Sequence, residues 1–153
     1  MPGEVSFKIT GLDAALKKMR EFPPKIQKKG VRASARKAMN IVRDAARAGA
    51  RKIDDPATAE IIAKNIVTRE SPKQSRRVGG IVMRVGVMGG ASSNQFSKDA
   101  SGNPGGDTRH WRFVEFGTEG VAARPFMRPA LESNIGAVTD RFVAELNKEI
   151  DKL

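Results

Sequence analysis

The chain has 153 residues and contains no cysteine, one histidine and one tryptophan. This length suits a single domain spanning residues 1–153 with a sizeable core. The lack of cysteine excludes a disulfide framework and any thiolate metal site, and it fits folding in a reducing cytoplasm. Apolar runs stay far below the roughly 18 residues that a membrane span needs, so we expect no span.

The basic residues are concentrated in one segment. Lysine and arginine number 28 against 17 acidic residues, which gives a formal net charge of +11. Between Lys17 and Lys52 the chain carries 13 basic and two acidic residues, so this segment alone accounts for the net charge. An anionic partner would therefore meet this segment first.

The first elements are predicted from the period of the apolar residues. Residues 4–10 alternate polar and apolar side chains, which predicts a half-buried strand. Helical spacing over 12–19 predicts a short helix, which the prolines at 23 and 24 end. From about residue 24 to residue 53 the spacing predicts one long helix.

This long helix carries two parallel stripes of side chains. One stripe is apolar and built mostly from small residues, which allows close packing against a partner element. The other stripe is basic, rotated about 100° around the axis, and extends roughly 39 Å. The apolar stripe consists of Val31, Ala35, Ala38, Val42, Ala45, Gly49 and Ile53. The basic stripe, called the basic ridge below, consists of Lys25, Lys29, Arg32, Arg36, Arg43, Arg47 and Arg51.

The middle of the chain is predicted to contain a helix, a strand and two loops. Asp55 followed by proline is typical of a helix start, so we predict a helix over 57–67 and a loop around Pro72. Residues 78–88 are alternating and rich in β-branched residues, which predicts a strand. Residues 89–108 hold little that a core can use, and we predict a flexible loop that orders on assembly.

The last third is predicted to contain a strand, a turn and a helix. Residues 109–117 alternate like a strand, and glycine and proline over 117–129 predict a fixed turn. Apolar spacing over 131–150 predicts a long amphipathic helix. The predicted class is α+β, with a small antiparallel sheet packed against the long basic helix and the C-terminal helix. The sheet is assembled from residues 4–10, 78–88 and 109–117.

The sequence offers few of the groups that catalysis needs. Its one histidine, His110, is not accompanied by a Gly-x-Ser-x-Gly motif, and a lone histidine beside a tryptophan is typical of packing or of the surface. No glycine pair is followed by the Lys-Ser/Thr of a phosphate loop. Asp54 and Asp55 fit helix capping better than metal binding. We therefore predict no enzymatic activity, no catalytic residue, no cofactor and no metal.

The basic ridge leaves three interpretations open: contact with nucleic-acid phosphates, docking on an acidic protein or neighbouring subunit, and a solvated face. The one-sided charge disfavours the solvated face, because self-repulsion brings a monomer no gain. Phe22 is the single aromatic residue of the basic segment, so base stacking has no support. No spacing typical of a helix-turn-helix or a zinc finger indicates sequence-specific reading.

The most specific motif runs from residue 113 to residue 131. Two phenylalanines, Phe113 and Phe116, are predicted on opposite sides of a strand, so that one of them enters the core. Gly117 permits a backbone conformation that a side chain would forbid, and Phe126 is a large anchor between two stiffening prolines. Glu115 is placed to pair with an arginine at position 124 across the turn.

These blocks resemble the head–tail joining, or tail-completion, family of long-tailed double-stranded DNA phages of the HK type, which includes proteins similar to minor tail protein Z. Its members show Glu-Phe-Gly-Thr, then Ala-Arg-Pro-Phe and Arg-Pro-Ala before a final amphipathic helix. The matching residues, to which we assign a structural role, are Phe113, Glu115, Phe116, Gly117, Thr118, Arg124, Pro125, Phe126, Arg128 and Pro129.

The resemblance implies a virion structural protein that assembles in the host cytoplasm as a ring at the neck, or head-proximal tail, around the DNA channel. The implied partners are further copies of the chain, neighbouring neck, head-closure and tail-terminator proteins, and double-stranded DNA contacted without sequence preference; no membrane is involved. Two alternatives stay open. One is a tail-terminator or tail-tube subunit, and the other is a free non-specific nucleic-acid-binding protein that uses the basic helix.

Overall fold

The computed structural model describes residues 9–89 and 102–153. Those residues form helices and one antiparallel pair of strands, which confirms the predicted α+β class. Residues 4–8 of the predicted first strand and 90–101 of the predicted loop lie outside the described residues. Within the described ranges no helix is long and apolar enough to cross a bilayer. The elements are α1 (Leu12–Met19), α2 (Pro24–Arg51), α3 (Ile62–Asn65), β1 (Ile66–Glu70), α4 (Pro72–Val78), β2 (Met83–Val87), α5 (Trp111–Phe116), α6 (Met127–Glu132) and α7 (Ile135–Asp151).

The long helix α2 is the element on which the others pack. Its buried face repeats every four residues and consists almost entirely of small side chains, which lets neighbouring elements approach closely. An added Cβ at Gly30 would lie 2.8 Å from the Cε of Met19 in α1. Of the predicted apolar stripe, Ala38 and Val42 are buried, and the other members flank the buried face half-exposed. The buried face consists of Gly30, Ser34, Ala38, Val42, Ala46 and Ala50.

The C-terminal helix α7 packs along α2 and confirms the predicted amphipathic helix. Leu146 is fully buried in a small core that α7 shares with α1. Beside it the buried Glu145 carboxylate accepts hydrogen bonds from Lys37 of α2 at 3.1 Å and from Arg141 at 2.8 Å. The Lys37 hydrogen bond lowers the pKa of Glu145 against the opposing effect of burial, and the positive charge of Lys148 lowers it further.

The strands β1 and β2 pair antiparallel, with Ile66 opposite Val87 and Glu70 opposite Met83. β2 lies inside the predicted strand over 78–88. The predicted loop around residue 72 is wrong, because Pro72 occupies the first turn of α4, where its missing N–H costs nothing.

The predicted helix over 57–67 is wrong for most of its length. Only α3 is helical there, and from Ile66 the chain continues as a strand, since β-branched residues favour strand pairing. The side chain that caps α3 is Asp54, whose carboxylate accepts the N–H groups of Ile62 at 2.9 Å and Ala63 at 3.0 Å. Asp55 instead closes a local turn by accepting the N–H of Ala57.

The predicted strand over 109–117 is also wrong, because Trp111–Phe116 form the short helix α5. An apolar run of this length fits both the helical and the strand period, so periodicity alone could not decide between them. As a helix, the segment turns Glu115 into the interior and leaves Phe113 and Phe116 exposed.

The described end of the predicted loop, residues 102–108, is pinned to the domain by one buried side chain. Asn65 accepts the N–H of Gly105 at 2.7 Å and donates to the Gly106 carbonyl at 2.9 Å and to the Thr108 hydroxyl at 2.7 Å. Asn65 and Thr108 are fully buried. This part of the segment therefore contributes to the interior, although its composition gave no sign of it.

Candidate interaction surfaces

The motif turn is organised by a buried carboxylate. Glu115, 4% exposed, accepts hydrogen bonds from the N–H groups of Phe126 at 2.7 Å, Met127 at 2.9 Å and Arg128 at 2.9 Å. These are N–H groups that the start of α6 cannot satisfy internally, and a negative charge there also suits the helix dipole. The expected Glu115–Arg124 pair is not formed; Arg124 instead donates its backbone N–H to the Val114 carbonyl at 2.8 Å.

The turn between α5 and α6 requires glycine at its first position. Gly117 has φ 74°, and an added Cβ would lie 2.7 Å from the Ala123 nitrogen. One residue later, Thr118 donates its N–H to the Val121 carbonyl at 2.9 Å, which closes a tight turn. Both the backbone conformation of Gly117 and the space around it exclude a side chain at this position.

Phe126 fastens this turn to the long helix. It is 2% exposed, and an added Cβ at Gly49 of α2 would lie 3.2 Å from the Phe126 Cβ. The two prolines of the motif frame this anchor: Pro125 is exposed, and Pro129 lies in the first turn of α6. Phe126 is therefore packed between the motif turn and α2.

The two phenylalanines of α5 stay outside the core. Phe113 is 62% exposed and Phe116 is 57% exposed, so the prediction that one of them enters the core is wrong. Residues three apart share one side of a helix, so both rings face the same way. Leu131 of α6 is 47% exposed and lines a groove together with Phe116, whose ring centroid lies 5.9 Å from the Arg128 guanidinium. We call Phe113, Phe116 and Leu131 the motif patch.

Part of the basic ridge is used to hold β1 against α2. Arg32 pairs with Glu70 at the end of β1 at 2.5 Å. Arg47 donates to the Ile66 carbonyl at the start of β1 through Nε at 3.0 Å and Nη2 at 2.7 Å. The Arg32 hydrogen bond lowers the pKa of Glu70, and the nearby Arg36 charge adds to the effect. These contacts give Arg32 and Arg47 a structural role that the sequence did not reveal.

The rest of the ridge faces solvent. Lys25, Lys29, Arg36 and Arg51 are exposed, whereas Arg43 is half-exposed and paired with Asp44, its neighbour in sequence, at 2.9 Å. In the described ranges, Lys25, Lys29 and Arg51 make no hydrogen bond or ion pair. The cationic surface is thus real, but it is interrupted by the ridge residues that bind β1.

The structure adds a second basic element next to the ridge. A cavity of about 370 Å³ between α2 and α4 is lined by Lys28, Arg32 and Arg76 together with Glu70 and Ser75. We call this the basic cleft. The sequence pattern does not reveal this cleft, because it predicts a loop for the segment that contains Arg76. The cluster of basic residues at 73, 76 and 77 was the available signal, since a helix brings such residues to one side.

With these surfaces described, the comparison with known proteins places the chain among bacteriophage tail components. It belongs to the HK97-gp10-like family, described as "Bacteriophage HK97-gp10, putative tail-component", whose sequence model matches residues 13–117, about two thirds of the chain. The match covers the basic ridge, the basic cleft and α5, and it ends at Gly117. The predicted family resemblance is confirmed. No curated protein and no solved structure matched the chain.

Proposed function

We propose that this tail component acts at the neck, or head-proximal end of the tail, as a subunit of a ring around the DNA channel that completes the tail or joins it to the head. The supporting observation is the motif patch: two aromatic rings and a leucine held in solvent on a rigid support. Contiguous exposed apolar side chains on a soluble domain are typical of a protein–protein contact. Aromatic residues and arginine, such as the neighbouring Phe116 and Arg128, are also enriched in protein–protein interfaces.

The rigidity of the support strengthens this proposal. The Glu115 cap, the Gly117 turn and the Phe126 anchor fix α5 and α6 relative to α2, so the patch loses little conformational freedom on docking. The motif patch and the basic ridge also differ in chemistry. Different surfaces meeting head to tail produce a closed ring when the rotation between subunits is right.

We further propose that the exposed cations of the ridge and the basic cleft meet double-stranded DNA in the channel through phosphate contacts without sequence preference. Exposed Lys and Arg supply such contacts, and nothing in the described surface points to base reading. Catalysis is not part of the proposal. Within the described chain His110 is exposed, and its Nδ1 lies 3.9 Å from the Glu60 carboxylate at the surface.

A complementation experiment tests the assembly role. A phage lacking a functional copy of this gene is supplied with the Phe113→Ser/Phe116→Ser variant from the host, and the particles are viewed by electron microscopy. We expect filled heads and finished tails that remain separate, and loss of ring formation by the purified variant in light scattering. Val78→Ser, which alters a 65% exposed valine on α4, is the matched control. Joined, infectious particles with the double variant would overturn the proposed role of the patch.

The basic cleft favours a second candidate, a free nucleic-acid-binding protein, which a gel-shift salt titration separates from the first. Tight binding by monomer at physiological salt, with a steep decrease as salt rises, favours the second candidate. Weak binding together with rings or co-sedimentation with tails favours assembly, whether as neck protein or as tail terminator. Lys28→Glu/Arg76→Glu is expected to reduce the salt slope by about 2, since each lost phosphate contact removes about 0.9. Lys64→Glu/Arg112→Glu is the charge-matched control.

A further inference from the structure

Two arginines lie opposite each other on the strand pair. Arg69 of β1 is directly opposite Arg84 of β2, and both side chains are exposed. Ser71 donates its N–H to the Val82 carbonyl, and hydrogen-bonded pairs recur at every second position, so the next such pair is Arg69 with Arg84. Their Cβ atoms are therefore about 5 Å apart on one face of the sheet. We call Arg69 and Arg84 the arginine pair.

Within the described ranges no carboxylate neutralises the arginine pair. Arg69 contacts the Met88 sulfur at 3.2 Å, and a thioether carries no charge. Arg84 makes no hydrogen bond or ion pair with a described residue. Glu70, the neighbour of Arg69 in sequence, lies on the other face of the sheet, where Arg32 binds it. Like charges directly opposite each other destabilise an antiparallel pair, so the fold alone does not explain two arginines at these positions.

The arginine pair adjoins the motif patch. Arg84 lines the same cavity as Phe116 and Leu131, which are two members of that patch. A subunit that covers the patch is therefore expected to cover Arg84 as well. A guanidinium that loses its water needs an anionic partner, and carboxylate oxygens fit the guanidinium fork. A phosphate would also supply the charge, but the apolar patch beside Arg84 favours a protein partner that brings a carboxylate together with apolar residues.

One exposed carboxylate on the described helices has these surroundings. Asp140 lies on the exposed side of α7 and makes no hydrogen bond or ion pair within the described ranges. Its neighbours one turn away in either direction are Gly136, Ala137, Val143 and Ala144, and none of them is charged. The carboxylate is therefore surrounded by small apolar residues and has no cation of its own helix beside it.

The other exposed carboxylates of the described helices each have a basic residue within one turn. Those basic residues reduce the attraction that a further cation would feel. Asp140 is thus the described helical carboxylate best suited to an external arginine. The other pairs are Asp13 with Lys17, Asp44 with Arg43, Glu132 with Arg128, and Asp151 with Lys148.

We propose that the arginine pair of one copy binds the Asp140 carboxylate of a neighbouring copy, an inference that rests on the proposed ring. The small apolar residues around Asp140 then face the aromatic rings of the motif patch. The two surfaces differ, so every copy uses both of them in a head-to-tail contact, which closes into a ring when the rotation between copies is right.

Charge exchange in the full chain tests this contact, with association followed by analytical ultracentrifugation. Arg69→Glu/Arg84→Glu and Asp140→Arg are each expected to weaken association by about tenfold or more, because like charges then meet. Combining these substitutions in one chain brings opposite charges together again and is expected to restore most of the association. Asp151→Arg, about 16 Å further along α7, is the matched control. No recovery in the combined variant would overturn the pairing.

A measurement on dilute, unassociated protein separates this role from a structural one. Arg69→Gln/Arg84→Gln removes the like-charge pair, so its Tm is expected to equal or exceed that of the parent, while its association is weakened. Lys73→Gln/Arg77→Gln removes two exposed charges from α4 and is expected to leave association unchanged. A clear decrease in Tm for the arginine variant would assign the pair to the fold and overturn the proposal.

This proposal and the proposed function fail in different ways. A parent protein that forms no ring refutes both the ring and the contact. A parent that forms rings, and keeps forming them whatever charges stand at Arg69, Arg84 and Asp140, refutes the contact alone and leaves the proposed function intact.

Discussion

The capping carboxylate of Glu115 allows the sharpest prediction about the motif. In Glu115→Gln one oxygen is replaced by an NH2 group that then faces a backbone N–H, whereas the parent carboxylate accepts three N–H groups at 2.7 to 2.9 Å. Losing one charge-assisted hydrogen bond costs about 1.5–3 kcal/mol, and losing the charge at the helix start costs about 0.3–1 kcal/mol more. We expect the free energy of unfolding to decrease by about 2–4 kcal/mol.

Urea denaturation at neutral pH measures this change, and hydrogen exchange locates it. The amide protons of Phe126 to Arg128 are expected to exchange faster in Glu115→Gln, while those in the middle of α2 keep the protection set by global unfolding. Glu132→Gln, on the exposed side of α6, is the control. Equal stability of Glu115→Gln and parent, within about 0.5 kcal/mol, would refute the capping role.

Three further predictions test single contacts by denaturation. Gly117→Ala is expected to lower the free energy of unfolding by about 2 kcal/mol or more, because of its φ of 74° and the close backbone contact. Gly120→Ala, which has open space around it, is expected to change this free energy by less than about 0.5 kcal/mol. Comparable losses in the two variants would contradict the steric argument. Asn65→Ala removes three buried hydrogen bonds and is expected to lower the free energy of unfolding by about 3 kcal/mol. A decrease of less than about 1 kcal/mol would show that water replaces these hydrogen bonds. The lowered pKa of Glu145 stabilises the folded state above the ordinary pKa of 4.5, and this stability is lost as pH falls through the folded pKa. The free energy of unfolding of Glu145→Gln is therefore expected to decrease less steeply on the acid side of a pH series than that of the parent. Parallel curves would contradict this prediction.

The parts of the fold that could be predicted are those with a long, uninterrupted period. Both α2 and α7 extend over enough turns for helical spacing to be unambiguous, and prolines mark the start of α2. The buried face of α2 still differs from the predicted stripe, because elements pack on it from several sides and half-bury the flanking residues. Burial therefore depended on partners that the pattern of one helix does not reveal.

The errors fall on short segments whose structure is decided by contacts distant in sequence. The helical state of α5 is linked to Glu115 reaching the start of α6, eleven residues further on. β1 begins where Arg47 of α2 binds the Ile66 carbonyl, and Asn65 fixes residues forty positions away. No local pattern carries such information, since the same apolar residues fit a short strand or a short helix.

The sequence predicted which segments form the candidate surfaces, but only part of their exposed residues. The family motif identified the turn from sequence, yet the exposed state of Phe113 and Phe116 required the helical geometry of α5. The charge count identified α2 as the cationic element but treated its ridge as uniform. Only the contacts separate Arg32 and Arg47, which bind β1, from the exposed members.

This division within the ridge explains how one helix can serve both the fold and the surface. Arg32 is neutralised by Glu70 and contributes less to the external field, whereas Arg47 keeps its charge but is held by its hydrogen bonds to the Ile66 carbonyl. Both side chains stabilise the contact between α2 and β1. Lys25, Lys29 and Arg51 make no such contacts within the described ranges, and they add to the field that a polyanion experiences. Reversing the charge of every ridge residue would therefore disrupt the contact between α2 and β1 and weaken anion binding at the same time. Separating folding from recognition requires that the two groups of residues be changed independently.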